Sequence, residues 1–293
     1  WSVDVLLREL QVIYTALAEN RPPDIAPLKV QYADFADWQR RAITPEVIEL
    51  QMGYWKEQLS GPLPSLRLAP QPKKFPSYEA RVEPLVFDKD LVARLREFNR
   101  SQGTTLFMSL LANFNLLLAH CSKQNEILTG APKNNRSTPE LEKLAGFFVN
   151  TLVLRTKLDI NRSFEEFLAQ IRSESVRSFS NADIPFQRVA QEMRAAGQSS
   201  LFQVWFGAID TLQPLQMGQI TATPRFVSPG TAQFDLAVFV SEQSDTVTCL
   251  FEYKTDLFGS EAIKGLMGQF ENLLRKSIAE SKRPLSELLF AKV

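Results

Sequence analysis

Hydrophobic residues recur along the chain at steps of three and four in some stretches and at every second residue in others, and these two periods predict its helices and strands. In the opening stretch, "WSVDVLLREL", Val3, Leu6, Leu7, Leu10, Ile13, Tyr14 and Leu17 share one face of a predicted helix, a face expected to pack on the rest of its lobe. Ser2 is the expected N-cap, and Asp4 stands where the positive helix end favours a carboxylate. A Pro-rich connector leads to a short aromatic helix in "YADFADWQRR". Thr44 and Pro45 then start a helix carrying Val47, Leu50, Tyr54, Trp55 and Leu59, and Gly61-Pro62 stop it. Five prolines within "GPLPSLRLAPQPKKFPSY" favour an extended tether, which places a lobe boundary near residue 75.

Beyond that tether, strand and helix periods alternate. "ARVEPLVF" predicts a strand, "DLVARLREFNRSQG" a helix closed by Gly103, and "TTLFMSLLANFNLLLAHCS" a buried helix. "EILTGAP" is a short strand, followed by a polar loop and the apolar run "GFFVNTLVLRTKL". Ser163 and Glu166 form a capping box for the next helix, and a short helix begins near Pro185. "FQVWFGAID", "QFDLAVFVSEQ" and "TVTCLFEYKTD" are strands, the last two a hairpin across Ser244-Asp245, and Ser260 is the expected cap of the final long helix. The fold class predicted from this alternation is α/β, helices covering a mixed sheet.

Composition narrows the chemistry. Lys+Arg and Asp+Glu both number 33 in 293 residues, so no basic field favours nucleic acid or anionic lipid. Cys121 and Cys249 lie far apart without metal spacing; they are expected to be reduced and packed, which suits a cytoplasmic setting. No metal site is expected. The apolar stretch Leu106 to Ala119 is too short to span a bilayer. The single histidine, His120, ends the buried helix, where the carbonyl end of the dipole suits a structural role. There is no phosphate-binding GxxxxGK[ST] loop, no GxGxxG and no GxSxG elbow, and one histidine makes a poor basis for a serine triad.

Several stretches, in order, resemble the core motifs of the condensation domains of non-ribosomal peptide synthetases. "YADFADWQ" supplies Tyr32, Asp34, Phe35 and Trp38 of the family's Y-x-D-[FY]-A-x-W. "GFFVNTLVLR", from Gly146 through Phe148, Val149, Asn150 and Thr151 to Arg155, matches G-x-F-V-N-T-x-x-x-R at each fixed position. "NADIPFQRV", with Asp183, Pro185 and Phe186, resembles [HN]-Q-D-x-P-F-E. "LFQVWF", "FDLAVFV" and "YKTDLF" resemble later strands, so the likeness runs from Trp1 to about Leu289. The departures are Gln187 for the usual Glu, Asn181 where His is frequent, and "RAAGQSSL", which keeps only Arg194 of the charges in R-D-x-S-R-x-P-L.

The resemblance implies a chloramphenicol-acetyltransferase-like, two-lobed fold with a tunnel between the lobes. Residues 1–75 would be the remainder of an incomplete N-terminal lobe plus the Pro-rich linker, and residues 76–293 the C-terminal lobe. It implies amide formation between donor and acceptor thioesters tethered to aminoacyl or peptidyl carrier proteins beside an adenylation domain. Phosphopantetheine would arrive on those carriers, with no cofactor bound to this chain. The family's catalytic motif, H-H-x-x-x-D-G, is commonly followed by Trp-Ser and an amphipathic helix, so it is expected just before Trp1, with the first part of the lobe; this chain alone would then be inactive, and part of the first helix's apolar face would be exposed. The alternatives are a non-catalytic carrier-docking fragment and an acyltransferase of the same fold using free coenzyme A.

Asn150 either bonds a pantetheine arm or substrate amide, with Thr151 beside it, or is satisfied by the backbone at a strand start. Arg155 is expected to be structural or solvent-facing, and Phe35 and Trp38 to pack their helix onto the lobe. Asp183 is expected to cap a helix, with a carrier-docking rim as its alternative. Asp235 points opposite to Phe234 and Leu236 and either faces the tunnel or pairs with a base such as Arg155.

Overall fold

The computed structural model describes residues 1–68, 77–198, 200–225 and 227–290. The predicted boundary near residue 75 therefore lies outside the described residues. In chain order the elements are α1 (Ser2–Ala18), α2 (Tyr32–Ala42), α3 (Pro45–Gln58), β1 (Ala80–Val86), α4 (Lys89–Gln102), α5 (Leu106–Ser122), β2 (Glu126–Asn134), α6 (Pro139–Glu142), β3 (Val149–Lys157), α7 (Phe164–Ser180), α8 (Phe186–Ala195), β4 (Val204–Ala208), β5 (Leu215–Met217), β6 (Ile220–Ala222), β7 (Leu236–Gln243), β8 (Thr246–Lys254), α9 (Ser260–Ala279) and α10 (Leu285–Phe290).

Six strands form one mixed sheet in the order β1-β8-β7-β4-β2-β3. β7 and β4, and β4 and β2, run parallel, while the flanking pairs are antiparallel. The β7–β8 hairpin turns across Ser244-Asp245, with Gln243 opposite Thr246. One face is buried under α4, α5, α7, α9 and α10. There Phe206, Val238, Cys249 and Phe251 meet Phe114, Leu117, Phe167 and Phe270. The second face is covered at the β2–β3 end by α3 and α8, through Trp55, Leu59, Leu128, Leu152, Ile184 and Val189.

The local chemistry of several helix ends is as expected. Thr44 accepts from the Val47 amide, Ser163 and Glu166 close a capping box, and Gly103 takes the left-handed conformation (φ +59°) that ends α4. α5 is buried as predicted; Asn113 Nδ2 donates to Ser109 O at 2.9 Å while its buried Oδ1 has no partner among the described residues, and Asn115 bonds Thr129 and Thr156. No single helix among the described residues is long and apolar enough to cross a membrane.

Four local expectations are corrected. α1 begins at Ser2, not after it, because the Ser2 hydroxyl is taken by Gly146. The face of α1 that periodicity expected to pack is open, in line with the exposure that an incomplete lobe implied for part of it: Val3, Leu6, Leu10 and Leu17 are exposed, and Val5 and Ala16 on the other side are buried. That opposite side is held by Gln11, whose Oε1 accepts from the Gln216 amide of β5 at 3.2 Å. Ser260 does not cap α9; it donates to Glu83 Oε1 at 2.8 Å, and Gly259 occupies the cap. Cys249 is buried as expected, but Cys121, in the last turn of α5, is exposed.

Candidate functional site

The most specific motif, "GFFVNTLVLR", enters β3 through a turn that α1 and α2 grip from one side. Ser2 Oγ donates to Gly146 O at 2.9 Å and accepts from Gly146 N at 3.1 Å, while Trp1 Nε1 donates to Glu142 O at 2.7 Å. Tyr32 OH donates to Phe147 O at 2.8 Å, and its ring meets Phe148 edge-on at 5.1 Å. Gly146 is required here by space: a Cβ would stand 2.3 Å from the Tyr32 ring. Phe35, Leu141, Leu144 and Phe148 close a small core behind the turn. Asp34 stands in the first turn of α2 and accepts from the Gln31 amide at 2.7 Å, a capping role. Trp38 does not pack onto the lobe as expected: it is 55% exposed and lines a cleft of ≈ 390 Å³ with Ile43, Val47, Lys133 and Asp183.

Arg136, which sequence reasoning passed over as part of a polar loop, is central to this corner. Its Nη2 donates to Ser2 Oγ at 3.1 Å and to Leu144 O at 2.8 Å. The guanidinium lies 3.9 Å from the Phe148 ring centroid and 5.7 Å from that of Trp1. Burial pushes its pKa down, against the pull of the Asp210 carboxylate. Its Nε is buried without a partner among the described residues. Only its position between two motifs, not its residue type, could have singled it out.

Within β3 the two readings of Asn150 meet a definite geometry. The side chain is buried, and its amide makes four hydrogen bonds: Nδ2 donates to Ala182 O (3.0 Å) and Ile184 O (2.8 Å), while Oδ1 accepts from Thr151 N and Phe186 N (both 2.9 Å). Asn150 thus clamps the "ADIPF" turn to the strand. Val149 and Phe147 beside it are exposed, and Thr151 is half-buried. Arg155 is structural: Nε donates to Glu126 Oε1 at 2.6 Å and Nη1 to the carbonyls of Gln58 and Ser60, tying α3 to the sheet.

Asp183 does not cap α8, whose N-cap is Pro185. Its carboxylate instead accepts from Gln51 Nε2 at 2.8 Å and Lys133 Nζ at 3.2 Å, and Gln51 Oε1 accepts the Asp183 and Ile184 amides. Phe186 packs at 5.9 Å from Phe202. Asp235 pairs with Lys254 (2.9 Å) and accepts from Gln203 Nε2 (3.4 Å), so its partner is not Arg155. His120 is exposed at the end of α5, near the start of β2, whereas Val149 pairs with Asn134 at the far end of that strand. A strand of this length separates the histidine from the Val149–Asn150 end of the motif by roughly 25 Å.

The model of the condensation domain family matches residues 1–292. The chain belongs to the condensation-domain family. Condensation-domain relatives include a linear gramicidin synthase of Brevibacillus parabrevis, 36% identical over 98% of this chain, and malpinin synthetase of Mortierella alpina, 31% identical over 98%. The chain spans only 6% and 4% of those proteins. Among solved structures, the X-domain from teicoplanin biosynthesis superposes with a TM-score of 0.84 at 23% identity, covering 97% of this chain and 68% of that one. The first condensation domain of the CDA synthetase gives 0.78 at 15%, covering 98% and 62%. At those identities the structures establish the condensation-domain fold alone.

Proposed function

We propose that this condensation domain serves amide formation, in which the amine of a carrier-tethered acceptor attacks a carrier-tethered donor thioester. The relatives' names as peptide synthases and synthetases support the reading, and the intact "GFFVNT" corner carries it: Ser2, Tyr32, Arg136 and Phe148 hold that turn rigidly against the start of α1. In this reading phosphopantetheine comes on partner carrier domains, an adenylation domain is the natural neighbour, and the reacting histidine is that of the family's catalytic motif before Trp1, since His120 stands a strand's length from the Gly146–Asn150 turn. The chain's part is positioning, which contributes to rate by fixing reactant geometry. The test is an amide-formation assay with loaded carriers, comparing residues 1–293 with a chain extended upstream. Product from the extended chain alone is expected; product from the short chain at the same rate would refute the assignment of the base.

A second reading, docking without chemistry, is favoured by a specific pair of observations. The structure superposes at a TM-score of 0.80 on the X-domain in its complex with OxyB, and the apolar face of α1 lies open. Inactivity of the extended chain with competent carriers, together with retained binding of those carriers, would select it.

A further inference from the structure

The cleft beside Trp38 is used by none of the roles above. It opens between α2, the link to α3, the end of β2 and the turn before α8, and its ≈ 390 Å³ is enough for a small ligand. Trp38 is its aromatic wall. The ring is 55% exposed, yet Phe35 backs it at 5.8 Å between centroids, and Phe35 is itself buried in the small core behind the Gly146 turn. A tryptophan held by a neighbouring ring and open to a cleft offers flat apolar area at little cost in side-chain freedom. Ile43 and Val47, both half-buried, extend that apolar surface.

The polar lining consists mainly of uncharged side chains with no protein partner. Gln39, Asn135 and Ser137 make no side-chain hydrogen bond among the described residues. Asn135 and Ser137 use only their backbone amides, which donate to Phe148 O and Asn135 O, each at 3.1 Å. Asn134 Oδ1 accepts from the Arg136 amide at 3.1 Å, which leaves its Nδ2 for a ligand. The two charges of the cleft, Lys133 and Asp183, are joined at 3.2 Å, and the second Asp183 oxygen accepts from Gln51 at 2.8 Å. A charged ligand would give up its water and gain nothing from a pair already cancelled. A sugar would set its hydroxyls against an apolar wall and find the cleft's one carboxylate engaged. A peptide unit, by contrast, presents one N–H and one C=O, the groups that the carboxamides of Gln39 and Asn135 can pair in reverse. Apolar side chains suit the wall, and a proline-containing segment arrives already extended, so little ordering is needed.

We propose that this cleft binds a short, uncharged, proline-containing peptide segment, its backbone amides on Gln39 and Asn135 and an apolar ring or side chain on Trp38. The full chain is titrated by calorimetry with the capped tripeptide acetyl-Pro-Leu-Pro-amide, with its Asp-Leu-Asp counterpart and with maltotriose, at constant ionic strength. Saturable binding of the first is expected, with little heat from the other two. Trp38→Ala should weaken that binding roughly fivefold or more, because the ring supplies the stacking face. It should not lower the melting temperature, since the side chain is exposed. Asn135→Ala should weaken binding as well, whereas Leu50→Ala, at a 74% exposed apolar position outside the cleft, should leave it unchanged. Three results would each overturn the proposal: no saturable binding of the Pro-Leu-Pro peptide, equal affinity for the charged peptide or for maltotriose, and unchanged affinity in Trp38→Ala. No carrier or condensation step enters the titration, so failure of the amide assay leaves this result standing, and the converse holds too.

Discussion

Replacing Asn150 by alanine tests the clamp on the "ADIPF" turn. The side chain satisfies two carbonyls, of Ala182 and Ile184, and two amides, of Thr151 and Phe186. A hydrogen bond contributes about 1 kcal/mol net, and a buried group left without a partner costs about 1–3 kcal/mol. Four groups lose their partner at once, but the vacated amide volume lets the turn relax or admit water, so a total of about 3–4 kcal/mol is expected. With a urea slope of about 3 kcal/mol/M, the unfolding midpoint falls by about 1 M. Asn150→Asp sharpens the test: it keeps an acceptor for the two amides but removes both donors and sets a carboxylate against two carbonyl oxygens. It should therefore be at least as destabilising as alanine at pH 7 and recover part of the loss on acidification, when the protonated acid again donates. Urea denaturation monitored by far-UV circular dichroism measures both. A loss below about 1 kcal/mol in Asn150→Ala would refute the clamp, and a selective loss of amide formation at full stability would return Asn150 to the substrate.

Gly146→Ala drives a methyl to within 2.3 Å of the Tyr32 ring, forcing that ring away from Phe148 and from its bond to Phe147 O; a loss of about 2 kcal/mol is expected from thermal melts. Burial holds the Glu174 carboxyl above its ordinary range, outweighing the bonds from Gln170 and Thr156. Its charged form therefore opposes folding at neutral pH, and stability is regained as pH falls through the raised pKa toward the unfolded value; Glu174→Gln should be the more stable at pH 7, with the gap closing near pH 4. Leu10→Lys with Leu17→Lys on the open face of α1 should reduce self-association in light scattering without lowering the melting temperature, because both side chains are exposed.

What the sequence made legible was chiefly local. Thr44, Ser163 and Gly103 act on amides and carbonyls within a few residues, so their roles follow from spacing alone. Ser2, Ser260 and Asp183 carry the same cap chemistry, but each is claimed by a partner more than a hundred residues away: Gly146, Glu83 and Gln51. Periodicity correctly found α1 yet assigned its buried side wrongly, because what it lies against depends on β5, a strand of three residues with no signal of its own. The family motif marked the corner around Gly146, while Arg136 stayed hidden because nothing in a polar loop distinguishes an arginine under an aromatic ring from one in water.

The pairing of β1 has a consequence for how this chain is made. Its sheet partner is β8, and about 160 residues separate the end of one from the start of the other. At a synthesis rate of roughly 5–20 residues per second, β1 has no strand to pair with for roughly 8–30 s after it is made. β2 and β3 can meet long before that. The ribosome thus delivers one edge of the sheet, β2 with β3, already able to pair, while β1 at the opposite edge waits for the last strand made, and cutting the gene anywhere between Val86 and Thr246 would strand that edge without its mate.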